Sequence, residues 1–128
     1  MASIFELEDP NFGRLTEERT VVAGTDAATT LTAAQSIGSV ITVTPTTGRT
    51  YTTATAAAII SELGANGRVG QSFELTIVNL AGATHAVTFA GGTGVTITGG
   101  TSVAAASSAT YLGRVASSTT VVFYRKGG

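Results

Sequence analysis

From Thr29 onwards, apolar residues alternate with polar ones in short runs that glycine, serine and proline interrupt. The clearest run spans residues 71–79, where Phe73, Leu75 and Ile77 occupy every second position. This period of two is typical of a half-buried β-strand. The same criteria predict further strands at 37–43, 49–53, 85–89, 95–98, 109–115 and 119–125.

One segment departs from this period and predicts a helix. Residues 55–63 read Thr-Ala-Ala-Ala-Ile-Ile-Ser-Glu-Leu, and the run of alanines favours helix. A threonine ahead of the alanines can cap the N-terminus, and Gly64 stands where a C-terminal glycine belongs. We expect Ile59, Ile60 and Leu63 to form the apolar side of this helix and to close one end of the β-structure.

The predicted fold class is mainly β. Short strands with a turn every ~8–12 residues indicate an antiparallel β-sandwich, jelly-roll-like, with one short helix. Before about residue 28 there is no clean periodicity, and Pro10 and Gly13 interrupt the chain. We therefore predict two parts, an extended N-terminal arm at 1–28 and a β-sandwich domain at 29–128.

Charge separates the two parts of the chain more sharply than hydropathy does. Residues 1–26 hold six acids and two arginines, a formal net charge of −4, and the remainder holds two acids and five bases, a net charge of +3. Opposite charges allow the arm of one subunit to lie on the body of a neighbour; the alternative is a solvated tail. We predict a protein interface formed by the arm residues Ile4, Phe5, Leu7, Phe12, Arg14, Leu15 and Arg19.

The low charge of the whole chain indicates self-association. Charged residues make up 12% of the sequence, about half the usual share of ~25%. We expect a subunit that buries surface against copies of itself or a larger assembly; the alternative is a small domain that threonine hydroxyls keep in solution. The five bases of the body are too scattered for a nucleic-acid site. Threonine and glycine interrupt every apolar run that a membrane helix needs.

Catalytic and cofactor chemistry is not expected. The chain has one histidine, His85, and neither cysteine nor tryptophan, and no serine lies in a Gly-x-Ser-x-Gly motif. Two consecutive octads, 87–94 and 95–102, have the paired glycines of calcium-binding repeats but not their acidic ligands. We predict no catalytic, cofactor-binding or metal site and no small-molecule substrate. The alternative is a hydrolase that acts through Glu74 or His85.

Five segments share a threonine- and alanine-rich pattern: Val-Thr-Pro-Thr-Thr-Gly-Arg-Thr-Tyr at 43–51, the predicted helix at 54–63, Val-Gly-Gln-Ser-Phe-Glu-Leu-Thr-Ile-Val-Asn at 69–79, Val-Thr-Phe-Ala-Gly-Gly-Thr-Gly-Val-Thr-Ile at 87–97 and Thr-Val-Val-Phe-Tyr-Arg at 120–125. Through these segments, which lie within about Ser36–Tyr124, the chain resembles the decoration (cement) proteins on the heads of tailed bacteriophages. The acidic, apolar-studded arm is a departure from that family's pattern.

The resemblance implies a structural virion protein that stabilises the outer capsid surface by non-covalent clamping of capsomers, commonly as a homotrimer. Its implied partners are the major capsid protein and copies of itself, and its implied location is the virion, after assembly in the host cytoplasm. The arm would grip either the capsid protein or a neighbouring subunit. An alternative function is a receptor- or glycan-binding module of a phage tail or fibre. That function needs exposed aromatics, yet Tyr51, Tyr111 and Tyr124 all fall in predicted strands, which favours core or subunit interface.

Overall fold

Two β-sheets and two short helices make up the fold in the computed structural model, which describes residues 19–128. The strands are β1 Thr20–Ala23, β2 Thr29–Thr30, β3 Ser39–Val43, β4 Arg49–Thr52, β5 Ser72–Asn79, β6 Val87–Ala90, β7 Val95–Thr98, β8 Ser102–Val103, β9 Ser107–Ser117 and β10 Thr120–Gly127. The helices are α1 Ala33–Ser36 and α2 Ala56–Leu63, and a 3₁₀ turn at Gly64–Asn66 follows α2.

The chain alternates between the sheets as it winds from β1 to β6. The large sheet has the strand order β1-β3-β5-β9-β10-β7, and the small sheet has the order β2-β4-β6-β8. Each of β3 to β6 therefore lies beside the strand two places earlier and runs parallel to it. The last strands, β9 and β10, form a hairpin that completes the middle of the large sheet.

The predicted mainly-β, two-sheet fold is confirmed, but its strand direction needs correction. Of the eight strand pairs formed by residues 19–128, three are antiparallel and five are parallel. The reason is that a strand which returns to its own sheet after crossing to the other runs in its original direction, whereas a hairpin reverses it. The jelly-roll detail is not confirmed, since jelly rolls are built from antiparallel strands.

Both helices lie in crossings from the small sheet to the large one. The predicted helix is confirmed as α2: the Thr55 side chain accepts a hydrogen bond from the Ala58 amide, and Gly64 ends it with φ 59°. The prediction of a single helix missed α1, which is capped by Thr32 and Gln35. Four residues are too few to show a helical period.

The core lies between the sheets and is built from the inward residues of the alternating strands. Leu75 and Ile77 are fully buried there, as predicted. Three aromatic rings form its centre: Phe89 lies 4.5 Å from Tyr111 and 5.4 Å from Phe123, measured between ring centroids. The predicted helix side contributes as well, because Ile59 is buried in the same cluster and Ile60 and Leu63 pack against it.

The first strand falls inside the segment predicted as the arm. Residues 20–23 pair in parallel with residues 39–42 at the edge of the large sheet. Asp26, counted among the arm's acids, also contacts the body, as described below. The described fold therefore includes residues that come before residue 28, where the predicted arm ends.

Candidate protein interface

The large sheet has one face that does not contribute to the core. Side chains alternate along each strand, so every residue that packs towards the small sheet is followed by one that points away from it. The cross-strand register arranges these outward residues in rows. We call this surface the outer face; it comprises Val21, Ala23, Val40, Thr42, Ser72, Glu74, Thr76, Val78, Thr96, Thr98, Ser108, Thr110, Leu112, Arg114, Val122, Tyr124 and Lys126.

Aliphatic and aromatic side chains contribute much of the outer face. Val21 is 67% exposed and Tyr124 is 41% exposed. Tyr124 on β10 pairs with Leu112 on β9, and the half-buried Val122 lies in the next outward row. Apolar side chains gathered on a solvent-facing surface are typical of a site of protein contact.

A threonine pair lies near the middle of the outer face. Thr76 on β5 and Thr110 on β9 are directly opposite each other, and their Oγ1 atoms are hydrogen-bonded at 3.0 Å. Because one hydroxyl donates to the other, covering the pair leaves fewer polar groups without a partner than covering two separate threonines would. The middle of the face is therefore suited to burial.

Glu74 is the acidic residue of the outer face, and two basic side chains form ion pairs with it. Its Oε1 accepts a hydrogen bond from Nη2 of Arg19 at 3.4 Å, and its Oε2 accepts one from Nζ of Lys126. The pKa of Glu74 is lowered from its ordinary value, chiefly by the Lys126 hydrogen bond. The side chains are partly exposed, so the ion pairs fix their positions more than they add to stability.

Arg19 is the one predicted interface residue within the described part of the chain. It precedes the edge strand β1, yet its guanidinium contacts Glu74 on β5, with β3 in between. A β-carbon on Gly38 would lie 3.9 Å from Nη1 of Arg19, so the arginine passes over this glycine. The other predicted interface residues lie outside the described residues: Ile4, Phe5, Leu7, Phe12, Arg14 and Leu15.

A second charged cluster joins two loops at the end of the fold and is structural. Oδ1 of Asp26 accepts hydrogen bonds from Nε of Arg49 at 2.7 Å and from the Thr46 amide at 3.1 Å. Oδ2 accepts one from Oγ1 of Thr46 at 2.7 Å. These bonds, that from Arg49 first, lower the pKa of Asp26 from 3.8 to about 2. The cluster holds the β1–β2 loop against the β3–β4 loop.

An open groove of about 340 Å³ borders the outer face where β5 ends and β9 begins. Val78 and the exposed Leu80 line it together with Asn79. The Asn79 amide nitrogen donates to the carbonyls of His85 and Val103, and its oxygen accepts from the Ala81 amide. These bonds use the polar atoms of the Asn79 side chain, so Val78, Leu80 and Ala106 provide apolar contact in the groove beside the two serines Ser107 and Ser108.

Residues 19–128 bring together no group of three or more His, Cys, Asp or Glu side chains that could hold a metal ion. None of the helices in this part of the chain is long and apolar enough to cross a membrane. Tyr51 and Tyr111 are buried, as expected for core residues, and their hydroxyls donate to the carbonyls of Thr25 and Gly100. Only Tyr124 of the three tyrosines lies on the surface.

Comparison with known protein families, curated proteins and solved structures gives no match. The outer face was not among the sequence-predicted sites, although the alternation in 71–79 already assigns one set of side chains to each side of a strand. The alternation within a single strand does not show which strands are neighbours, and it is the strand order that places Leu112 beside Tyr124. That order depends on contacts between distant segments.

Proposed function

We propose that the protein is a structural subunit that covers and stabilises the surface of a larger assembly. The observation that carries the proposal is the outer face, a six-stranded surface with two hydrogen-bonded threonines near its middle and exposed apolar side chains. Such a surface provides contact area. An enzymatic role is not part of the proposal.

Decoration of a bacteriophage capsid is the specific form of this function that we propose. It rests on the resemblance of the 36–124 region to capsid decoration proteins, together with the contact surface described above. In this form the protein binds the outer side of the shell and bridges neighbouring capsomers without covalent bonds. Its partners are the major capsid protein and copies of itself.

The N-terminal segment is proposed as the attachment element. The apolar side chains proposed as its anchors lie among its charges: Ile4, Phe5, Leu7, Phe12 and Leu15. Full burial of a side chain of this kind contributes roughly 1.5–3 kcal/mol. Several copies acting together turn such modest contacts into strong attachment, because the later contacts are made within one assembly.

The test is binding to phage shells stripped of their decoration layer. The deletion should end at residue 18, because Arg19 and β1 belong to the described fold. We expect the 19–128 protein to keep its circular dichroism spectrum and its unfolding midpoint but not to sediment with shells. Exchange of Phe5 and Phe12 for serine in the full chain should reduce binding in the same direction, whereas Ser3→Ala should not. Full occupancy by the deleted protein would contradict the proposal.

A further inference from the structure

The structure shows where the positive charge of the body lies. Arg49 is held by Asp26, and Arg125 donates to the Ser102 carbonyl and lies over the Tyr111 ring at 5.8 Å. Two of the remaining bases, Arg114 and Lys126, are on the outer face, and Lys126 shares Glu74 with Arg19. The outer face therefore combines a net positive charge with apolar side chains.

The basic and apolar groups of this face are adjacent. Arg114 pairs directly with Val122 across β9 and β10, and Leu112 pairs with Tyr124 in the neighbouring outward row. A ligand that presents acidic and apolar side chains close together meets both kinds of partner here. A second outer face does not fit as well, because it would bring like charges together.

Residues 1–18 of this chain have the complementary pattern. They hold five acids and one arginine, with Glu6 and Glu8 interleaved with Phe5 and Leu7. Fully extended, 18 residues reach at most about 60 Å, more than the width of about 25 Å that six strands give the outer face. The length, the charge and the apolar content of this segment suit it to that surface.

We propose that residues 1–18 of one copy dock on the outer face of a second copy. A second copy is favoured over the same chain because the low charge of the whole chain, 12% of its residues, favours association between copies. The inference deepens the proposed function, on which it rests for the role of the segment as the attachment element, and it names a neighbouring copy as the partner.

Single cysteines test the contact, because the natural chain has none. One protein carries Phe5→Cys, and the other carries Leu112→Cys activated as a mixed disulfide, so that only the cross-pair reacts. The matched control replaces Leu112→Cys with Ser61→Cys, an isosteric change on the exposed side of α2. We expect the Phe5–Leu112 pair to form a covalent dimer at least about tenfold faster than the control pair, because docking raises the effective concentration of the thiol. Equal rates would overturn the proposal.

A doubly substituted chain distinguishes docking between copies from docking within one chain. With Phe5→Cys and Leu112→Cys in the same protein, docking between copies gives dimers and larger species, in proportions that rise with protein concentration. An intrachain disulfide that forms at a rate independent of concentration would refute docking on a second copy. Circular dichroism of each variant verifies that it is folded.

Charge reversal tests the electrostatic part of the contact. Arg114→Glu in the acceptor should slow the Phe5–Leu112 reaction, and Glu6→Lys with Glu8→Lys in the donor should restore it. Raising the salt concentration should reduce the difference, since exposed charges are screened. Reversal without any effect at low salt would contradict the assigned face. None of these measurements uses shells, so the two proposals can fail separately. If the copies cross-link but do not bind shells, only the proposed function is refuted. If they bind shells but do not cross-link, only this inference is refuted.

Discussion

Gly113 is the position where the packing of the core can be tested most directly. It lies on the inner side of β9, between Phe73 of β5 and Phe123 of β10 in the same cross-strand row. A β-carbon at Gly113 would lie 2.6 Å from Cζ and 2.9 Å from Cδ1 of Phe73. The absence of a side chain therefore lets the Phe73 ring lie across β9 and meet the edge of the Phe123 ring, with centroids 5.5 Å apart.

Gly113→Ala should destabilise the fold despite the preference of strands for alanine over glycine. Replacing glycine with alanine by itself raises the free energy of unfolding by about 0.5–1 kcal/mol, because alanine restricts the unfolded chain. Displacing the Phe73 ring from its packed position costs about 1–3 kcal/mol. At the midpoints of these ranges, the free energy of unfolding falls by about 1 kcal/mol. At about 4 °C per kcal/mol for a domain of this size, the melting temperature falls by about 4 °C.

The assay is urea unfolding of four proteins that form a double-mutant cycle: wild type, Gly113→Ala, Phe73→Leu and the double variant. Leucine at 73 lacks the Cζ atom and the rest of the outer ring, so Gly113→Ala should then cost clearly less. Gly82→Ala is the control, since no atom of the described structure lies within 4 Å of its β-carbon position beyond the chain neighbours, and its effect should stay within about 0.5 kcal/mol. The same cost for Gly113→Ala in both backgrounds would refute the argument.

Two polar sites give further predictions. The folded-state pKa of Asp26 is about 2 against an ordinary 3.8, so its contribution to stability is present above about pH 4 and is lost as the pH falls through about 2. Asp26→Asn should remove this part of the acid dependence, and an unchanged pH profile of the urea midpoint would contradict it. Asn79→Asp places a carboxylate against the carbonyls of His85 and Val103, which we expect to cost about 3 kcal/mol or more near neutral pH. Calorimetry measures this loss, and Asn79→Asp should be less stable than Asp26→Asn.

Local patterns in the sequence predicted α2 and seven of the ten described strands closely, and missed β1, β2 and β8. The alternation of Phe73, Leu75 and Ile77 depends only on which face of one strand is buried, and the cap of α2 depends only on neighbouring residues. Both are determined within a few residues of the chain. Strand β5 and helix α2 therefore lie at almost the positions predicted for them.

Strand pairing depends on distant residues, and the predicted antiparallel arrangement was wrong for most pairs. The segments around β3 and β4 are two short strands joined by a turn that contains Pro45 and Gly48. In the fold that turn carries the chain from the large sheet to the small one, so β3 pairs with β5 and β4 with β6. No local pattern distinguishes a turn within a sheet from a turn between sheets.

The junction between segment and body matters most for an attachment element, because any load on residues 1–18 enters the fold there. β1 is a four-residue edge strand, paired with β3 alone among the described strands. The Arg19–Glu74 contact passes over Gly38 and joins the start of β1 directly to β5, which is paired on both sides. Lys126 ties the same carboxylate to β10. The proposed attachment element thus joins the body at a point where one carboxylate connects the edge of the large sheet to its centre.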